Sequence, residues 1–180
     1  MNLPNLLSLA RLLAAPVIVW LILTGELTTA FWLFVAAGVS DALDGFIAKR
    51  FNAATVLGAY LDPIADKALL VGVYVTLGQQ GYFALWLVIL VVFRDLLIVG
   101  GALLVHTVTH SLKVQPFLIS KVNTAAQAAL AGLMLAELGL GVGIEIVTNL
   151  LTYVVAATTV LSGAAYLVEW SRRASGIENP

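Results

Sequence analysis

Long apolar stretches follow one another along the chain, separated by short connections that contain glycine or polar residues. A helix needs about 20 mostly apolar residues to cross the hydrocarbon core of a bilayer. The pattern therefore predicts an all-α integral membrane fold with six transmembrane helices. Their approximate ranges are 5–24, 29–49, 58–78, 82–105, 118–138 and 144–170. Since neither a repeat nor a low-complexity linker divides them, we expect one membrane domain over residues 1–180.

The composition indicates a chain that is solvated mainly by lipid. Hydrophobic residues make up 61% of the sequence and charged residues 11%, with a mean hydropathy of +1.02. Soluble domains carry about 25% charged residues. The formal net charge of −1 gives the protein no basic field for nucleic acid. Because the chain lacks cysteine, thiolate metal sites and cysteine nucleophiles are excluded.

Lysine and arginine are unevenly distributed among the predicted connections. The loops around Gly25, residues 78–81 and residues 139–145 contain neither, whereas the opposite ends of the spans carry most of the basic residues. The positive-inside rule then places both termini in the cytoplasm, and Arg11 is interpreted as a positive-inside anchor. No Arg- and Ser-rich transit segment precedes the first span, so we expect a multi-pass protein of a bacterial inner membrane.

The five aspartates all lie within or at the ends of apolar segments. An ionisable group inside a membrane is costly, so each is a candidate functional residue. Asp41 and Asp44 lie three residues apart and therefore share one stripe of a helix. Gly45 and Ala48 continue that stripe, which leaves room for a large group to approach the backbone.

A second acidic stripe follows in the third predicted span. Gly58, Asp62 and Asp66 are spaced i, i+4 and i+8, again with a glycine on the acidic face. Pro63 removes one helical hydrogen bond and is expected to kink this span. The short connection over residues 50–57 predicts that the second and third spans are antiparallel neighbours, with their acidic stripes facing each other near the cytoplasmic side.

Carboxylates that converge in lipid repel one another unless cations or protons compensate their charge. Ligands that are all oxygen favour Mg²⁺, Mn²⁺ or Ca²⁺ over zinc. Two such ions can hold a phosphoryl group during a displacement reaction. The alternatives are a structural cation site or the proton relay of an ion or proton transporter, although transporters often contain inverted repeats that this sequence lacks.

The acidic residues also form a long, specific pattern. From Asp41 to Asp66 the chain reads D-x-x-D-G-x-x-A-K-x8-G-x3-D-x3-D. This pattern resembles the signature of the CDP-alcohol phosphatidyltransferases. The resemblance implies six spans, a homodimer, two Mg²⁺ or Mn²⁺ ions and transfer of a phosphatidyl group from CDP-diacylglycerol to an alcohol with release of CMP.

The resemblance also implies a role for each carboxylate. Asp41, Asp44 and Asp62 would ligate metal that neutralises the diphosphate. Asp66 would bind the second ion and act as general base on the acceptor hydroxyl.

The remaining residues of the pattern would bind the CDP-lipid, together with Asp41, Asp44 and Asp62. Gly45, Ala48 and Gly58 would leave space for cytidine and ribose. Lys49, which stands where the family pattern has arginine, would contact the diphosphate with a point charge instead of a planar fork.

Two further segments bear on the acceptor. F-R-D-L-L-I at 93–98 and F-L-I-S-K-V-N-T-A-A-Q at 117–127 resemble cardiolipin synthases. The related phosphatidylglycerophosphate synthases usually have a second lysine where this chain has Asn123. Fewer cations suit the single negative charge of phosphatidylglycerol, so this acceptor is favoured over glycerol 3-phosphate. Arg94 and Lys121 are the candidates that bind it. The alternatives are a buried pair with Asp95 or one of the site acids for Arg94, and a boundary lysine that extends to the membrane surface for Lys121.

Overall fold

A computed structural model describes the backbone of residues 3–51, 56–109 and 118–174, and the side chains of residues 6–43, 62–101 and 118–171. All regular structure in these ranges is helical, and the predicted number of six helices is confirmed. The helices are α1 (Leu3–Leu23), α2 (Leu27–Phe51), α3 (Val56–Gln79), α4 (Leu85–Thr109), α5 (Leu118–Leu140) and α6 (Glu145–Ala174).

Within the described residues, three helical segments are long and apolar enough to cross a membrane. These segments are Leu6–Leu23, Leu118–Leu140 and Glu145–Ser171, and a shorter apolar helical segment covers Leu27–Leu43. Large apolar side chains cover much of the outer surface, including Trp20, which is 61% exposed. Apolar helices with an apolar exterior indicate a membrane protein.

Glycines in left-handed conformations end three of the helices. Gly25 follows α1, Gly81 follows α3 and Gly141 follows α5, with φ angles of 81°, 82° and 69°. Glycine adopts this conformation without steric cost, which makes it the usual residue just beyond a helix. These three connections lie at one end of the bundle. They are the loops that contain neither lysine nor arginine.

The order in which the helices pack differs from the predicted one. Helix α1 packs against both α2 and α3, whereas α2 and α3 are not a contacting pair among the described residues. The expectation of direct α2–α3 neighbours is therefore wrong for the described part of these helices. The short connection fixes only where α3 begins, and α1 packs against both acidic helices.

The direction of each helix follows from its contacts. Ser8 of α1 bonds to Asp62 of α3, and further along both helices Val19 lies against Gly72, so α1 and α3 are parallel. Since α2 returns beside α1 after a tight turn, α2 and α3 are antiparallel, as predicted. Helix α5 packs against α2, α3 and α6, and α4 packs against α3 and α6.

The apolar core occupies the half of the bundle that is nearer the glycine turns. Ile18 of α1, Leu77 of α3, Leu87 of α4 and Leu130 of α5 are fully buried there. The other half of the bundle contains most of the buried polar and charged side chains, among them Arg11 of α1, Arg94 and Asp95 of α4, and Ser162 of α6. The core thus fixes the helices firmly at one end, while the opposite end provides the functional groups.

A candidate active site in the polar half of the bundle

Helix α1 brings together aspartates from α2 and α3. Arg11 Nη1 lies 2.9 Å from Asp41 Oδ1 and 2.6 Å from Asp66 Oδ1. Three residues before it, Ser8 Oγ donates a hydrogen bond to Asp62 Oδ1. Two residues of one helical face therefore contact three of the four predicted site aspartates.

A cavity opens beside this cluster. Its polar lining includes Arg11, Asp41, Asp66 and Thr124, and its apolar wall comes from α2, α3 and α5. Its volume of about 120 Å³ equals that of about four water molecules. The Asp41 and Asp66 side chains are 48% and 35% exposed, whereas that of Arg11 is 1% exposed. The two carboxylates are thus accessible to a ligand, and the guanidinium is buried behind them.

Several predicted site residues lie in the helices but beyond the described side chains. Asp44, Gly45, Ala48 and Lys49 belong to α2, and Gly58 belongs to α3. Their predicted contacts with metal, nucleotide and diphosphate stay predictions.

The described acids fit a hard divalent cation by their chemistry. Asp41 and Asp66 offer anionic oxygens on the cavity wall, and both oxygens lie within hydrogen-bond distance of the same cationic nitrogen. Asp62 joins them through α1, but the side chains that were described contain no group of three or more potential ligands. Oxygen ligands that converge on one positive charge suit Mg²⁺ or Mn²⁺, which keep several waters and substrate oxygens in their coordination shell.

Arg94 is buried and hydrogen-bonded through all three of its side-chain nitrogens. Nη1 lies 2.8 Å from Asp95 Oδ1, Nε donates to Ser162 Oγ at 3.2 Å, and Nη2 donates to Ser120 Oγ at 2.6 Å. The Arg94–Asp95 pair that the sequence offered as an alternative is therefore present. Asp95 also accepts from Lys67 Nζ at 2.7 Å, so this charged cluster connects α3, α4, α5 and α6.

The segment at the start of α5 divides into an outer and an inner face. Lys121 is exposed, and Thr124 lines the cavity beside Asp41. Asn123 is fully buried, and its Oδ1 accepts from Thr158 at 2.8 Å and from Thr159 at 2.9 Å, both on α6. Asn123 thus joins α5 to α6.

Sequence reasoning missed the residues of α1. Arg11 was interpreted as an anchor at the membrane surface, but it is 2% exposed and paired with two site acids. The interpretation is wrong because a guanidinium on an apolar helix can be neutralised by acids of neighbouring helices instead of reaching water. A cation inside an apolar span is the signal in the sequence that identifies Arg11, as it does Arg94.

These features define a helical membrane enzyme with a carboxylate site in one half of its bundle. The profile of the CDP-alcohol phosphatidyltransferases matches residues 1–162, and the chain belongs to this family. Its members are phospholipid-biosynthesis transferases that generally depend on a divalent metal.

The relatives that are similar to this chain have names of two kinds: glycerol-3-phosphate phosphatidyltransferase and cardiolipin synthase. The chain is 37% identical to the chloroplastic CDP-diacylglycerol–glycerol-3-phosphate 3-phosphatidyltransferase 1 of Oryza sativa, over 94% of this chain and 57% of that protein. It is 32% identical to the human cardiolipin synthase (CMP-forming), over 92% of this chain and 60% of that protein. It is also 32% identical to the CDP-diacylglycerol–glycerol-3-phosphate 3-phosphatidyltransferase of Rickettsia typhi, over 92% and 94%.

The matched lengths differ among these relatives. The chain spans about three-fifths of the rice and human proteins and nearly all of the rickettsial protein. Both reactions therefore occur among proteins similar to this chain.

Proposed function

We propose that this protein transfers the phosphatidyl group of CDP-diacylglycerol to a hydroxyl of phosphatidylglycerol, giving cardiolipin and CMP. The observation that carries the proposal is the meeting of Asp41, Asp62 and Asp66 around one face of α1, beside a cavity. The family supplies the reaction class, and the helical exterior allows the acyl chains of both lipids to stay in the bilayer.

In this proposal, the carboxylates of α2 and α3 hold Mg²⁺ or Mn²⁺, with Asp44 completing the set. When bound, two such ions supply charge neutralisation for the diphosphate and for the departing CMP. Asp66 accepts the proton of the acceptor hydroxyl. The hydroxyl oxygen forms a bond to the phosphatidyl phosphorus, and the P–O bond to CMP breaks. The 35% exposure of the Asp66 carboxylate makes it accessible to an acceptor in the cavity.

The surroundings of the cavity support a weakly charged acceptor. Arg94 directs its three nitrogens to Asp95, Ser120 and Ser162, and Asn123 directs its amide oxygen to α6. A phosphomonoester such as glycerol 3-phosphate carries nearly two charges and needs several uncommitted cations. The phosphodiester of phosphatidylglycerol carries one and needs fewer, so we assign its headgroup to the exposed Lys121, which lies three residues before the cavity-lining Thr124 in α5.

Glycerol 3-phosphate is the second candidate acceptor. It is favoured by the similarity to the rice and rickettsial proteins, whose names include this substrate. In that case Arg94 would exchange one of its serine partners for the acceptor phosphate.

A CMP-release assay decides between the acceptors. The protein is purified in detergent with CDP-diacylglycerol and Mg²⁺ or Mn²⁺, and phosphatidylglycerol or glycerol 3-phosphate is added in turn. We expect CMP only with phosphatidylglycerol, together with cardiolipin in the lipid extract. Release only with glycerol 3-phosphate establishes the second candidate. Ion flux in liposomes without CMP release from either acceptor would favour a transporter.

We also propose that all six helices cross the membrane, with both termini and the site facing the cytoplasm. The chain lacks cysteine, so single cysteines can be introduced without removing native ones. A cysteine at Glu26 or at Gln80, both in the glycine turns, should react with an impermeant maleimide from the outside. If both positions are protected in intact cells and are labelled only after lysis, the proposed orientation is wrong and the opposite one holds. The homodimer that the family resemblance implies stays a prediction. Cross-linking in native membranes tests it.

A further inference from the structure

Arg11 is the cation around which the described site acids are arranged. Its Nη1 lies 2.9 Å from Asp41 Oδ1 and 2.6 Å from Asp66 Oδ1, and its side chain is 1% exposed. A buried guanidinium is stable only while carboxylates compensate its charge. The two carboxylates repel each other unless a cation lies between them. Arg11 thus occupies a position in which the electrostatics of the site require a positive charge.

We propose that Arg11 is an internal counter-ion that competes with the divalent metal for Asp41 and Asp66. This inference rests on the proposed metal site. A dication bound to the two carboxylates would lie only a few ångströms from a guanidinium that stayed on the same oxygens, and like charges at that distance repel strongly. Arg11 therefore gives up Asp41, Asp66 or both when the metal binds.

This exchange links metal binding to the packing of α1. Arg11 connects α1 to both α2 and α3, which are not in contact with each other among the described residues. The bond from Ser8 to Asp62 ties α1 to α3 independently of Arg11. Without Arg11, the metal-free protein loses the cation that holds the acids together. The metal then binds Asp41 and Asp66 without competition from the guanidinium. Removal of the charge should therefore destabilise the metal-free protein and tighten metal binding, since coupling between two ligands is reciprocal.

The test compares Arg11→Gln with wild-type protein purified in detergent and stripped of metal. Mn²⁺ binding is measured from the electron paramagnetic resonance signal of the free ion, and thermal unfolding is followed with and without Mn²⁺. We expect the Mn²⁺ Kd of Arg11→Gln to fall about tenfold, within the usual range of coupling between sites. Its Tm without metal should fall, and the rise of Tm on addition of Mn²⁺ should exceed that of the wild type.

Arg94→Gln is the matched control, because Arg94 is equally buried but bonds to Asp95, Ser120 and Ser162. Its Tm should also fall, while its Mn²⁺ Kd should stay within about twofold of the wild type. A general loss of packing or of positive charge would affect the two variants alike, and equal tightening in both would overturn the proposal.

An unchanged or weaker Mn²⁺ affinity in Arg11→Gln also overturns it. If that variant does not fold, Arg11→Lys is judged by the same measurement. Its shorter, more strongly hydrated ammonium competes less well, so the Kd should fall at least about twofold, and an unchanged Kd overturns the proposal. A separate pair of variants, Asp41→Asn and Asp66→Asn, tests the metal site itself. If both bind Mn²⁺ as the wild type does, the proposed site fails and the role of Arg11 fails with it.

Discussion

Lys67 Nζ lies 2.7 Å from Asp95 Oδ2, and this ion pair joins α3 to α4 one residue after the proposed general base. Asp95 is 4% exposed and also bonds to Arg94, so one carboxylate compensates two cations. Because Lys67 directly follows Asp66 in α3, the pair fixes the rotation of this helix about its axis. The charge cluster therefore supports the position of Asp66.

Asp95→Asn should be strongly destabilising. The variant leaves Arg94 buried without a carboxylate partner among the described residues, and loss of one member of a buried pair costs about 3 kcal/mol or more. The free energy of unfolding in detergent measures the loss. Glu26→Gln is the control. It changes an exposed acid in the connection between α1 and α2, and its free energy of unfolding should stay within about 0.5 kcal/mol of the wild type. Equal stability of the two variants would contradict the role of the cluster.

Asp66→Asn should abolish turnover while the protein still binds CDP-diacylglycerol. An amide keeps the size of the side chain but does not accept a proton, and a general base contributes about 10²- to 10⁴-fold to rate. CMP release measures the rate, and binding of a radiolabelled CDP-lipid measures retention of the substrate. Turnover at the wild-type rate would remove the base assignment, and loss of lipid binding would move Asp66 to a purely ligating role.

Gly139→Ala should destabilise the contact between α5 and the start of α2. A Cβ at this position would lie 2.7 Å from Leu27 O and 2.9 Å from Thr28 N, and backbone atoms cannot move aside as a side-chain end can. Overpacking of this kind costs about 1–3 kcal/mol. Gly100→Ala in α4 is the matched control, because its Cβ would meet no atom of the described residues within 4 Å, and it should gain up to about 1 kcal/mol of helix stability. Thermal unfolding that ranks the two variants in the opposite order would refute this packing.

Asn123→Leu and Gln127→Leu should differ although the residues lie one turn apart and are both fully buried. Asn123 Oδ1 accepts from two threonines of α6, so its loss leaves a buried hydroxyl unsatisfied at a cost of about 1–3 kcal/mol. The side-chain amide of Gln127 has no hydrogen-bond partner within the described part of the chain. Gln127→Leu should therefore leave the free energy of unfolding unchanged or raise it. A comparable loss of unfolding free energy in both variants would show that Gln127 has a partner of its own.

The lengths of the apolar stretches were sufficient to predict the number of helices, and helical periodicity to predict the acidic stripe of α3; the Asp44 side chain of the α2 stripe lies outside the described residues. Spacing of 3.6 residues relates side chains on one helix, and the acids at 62 and 66 do lie on one face, since both contact α1. It does not reveal which third helix lies between two others. The position of α1 depends on the shapes of all the helices together, and for that reason the predicted direct contact of α2 and α3 is wrong for the described part of these helices.

The charged partners were only partly predictable. The Arg94–Asp95 pair was one of two alternatives, and chemistry alone could not decide between a neighbouring acid and an acceptor phosphate. The Lys67–Asp95 pair joins residues 28 positions apart, and only the packing of α3 on α4 brings them together. Arg11 was placed at the membrane surface because its distance from Asp41 and Asp66 along the chain concealed their proximity.

The hydrogen bonds of Arg94 also bear on how the protein is made. Ser120 and Ser162 belong to α5 and α6, so neither exists when α4 leaves the ribosome. Asp95, the next residue to be synthesised, accompanies the arginine from the beginning. In the six-span arrangement proposed above, the adjacent acid lets α4 enter the lipid as an electrically balanced segment, and the serines accept the remaining hydrogen bonds as α5 and then α6 are added.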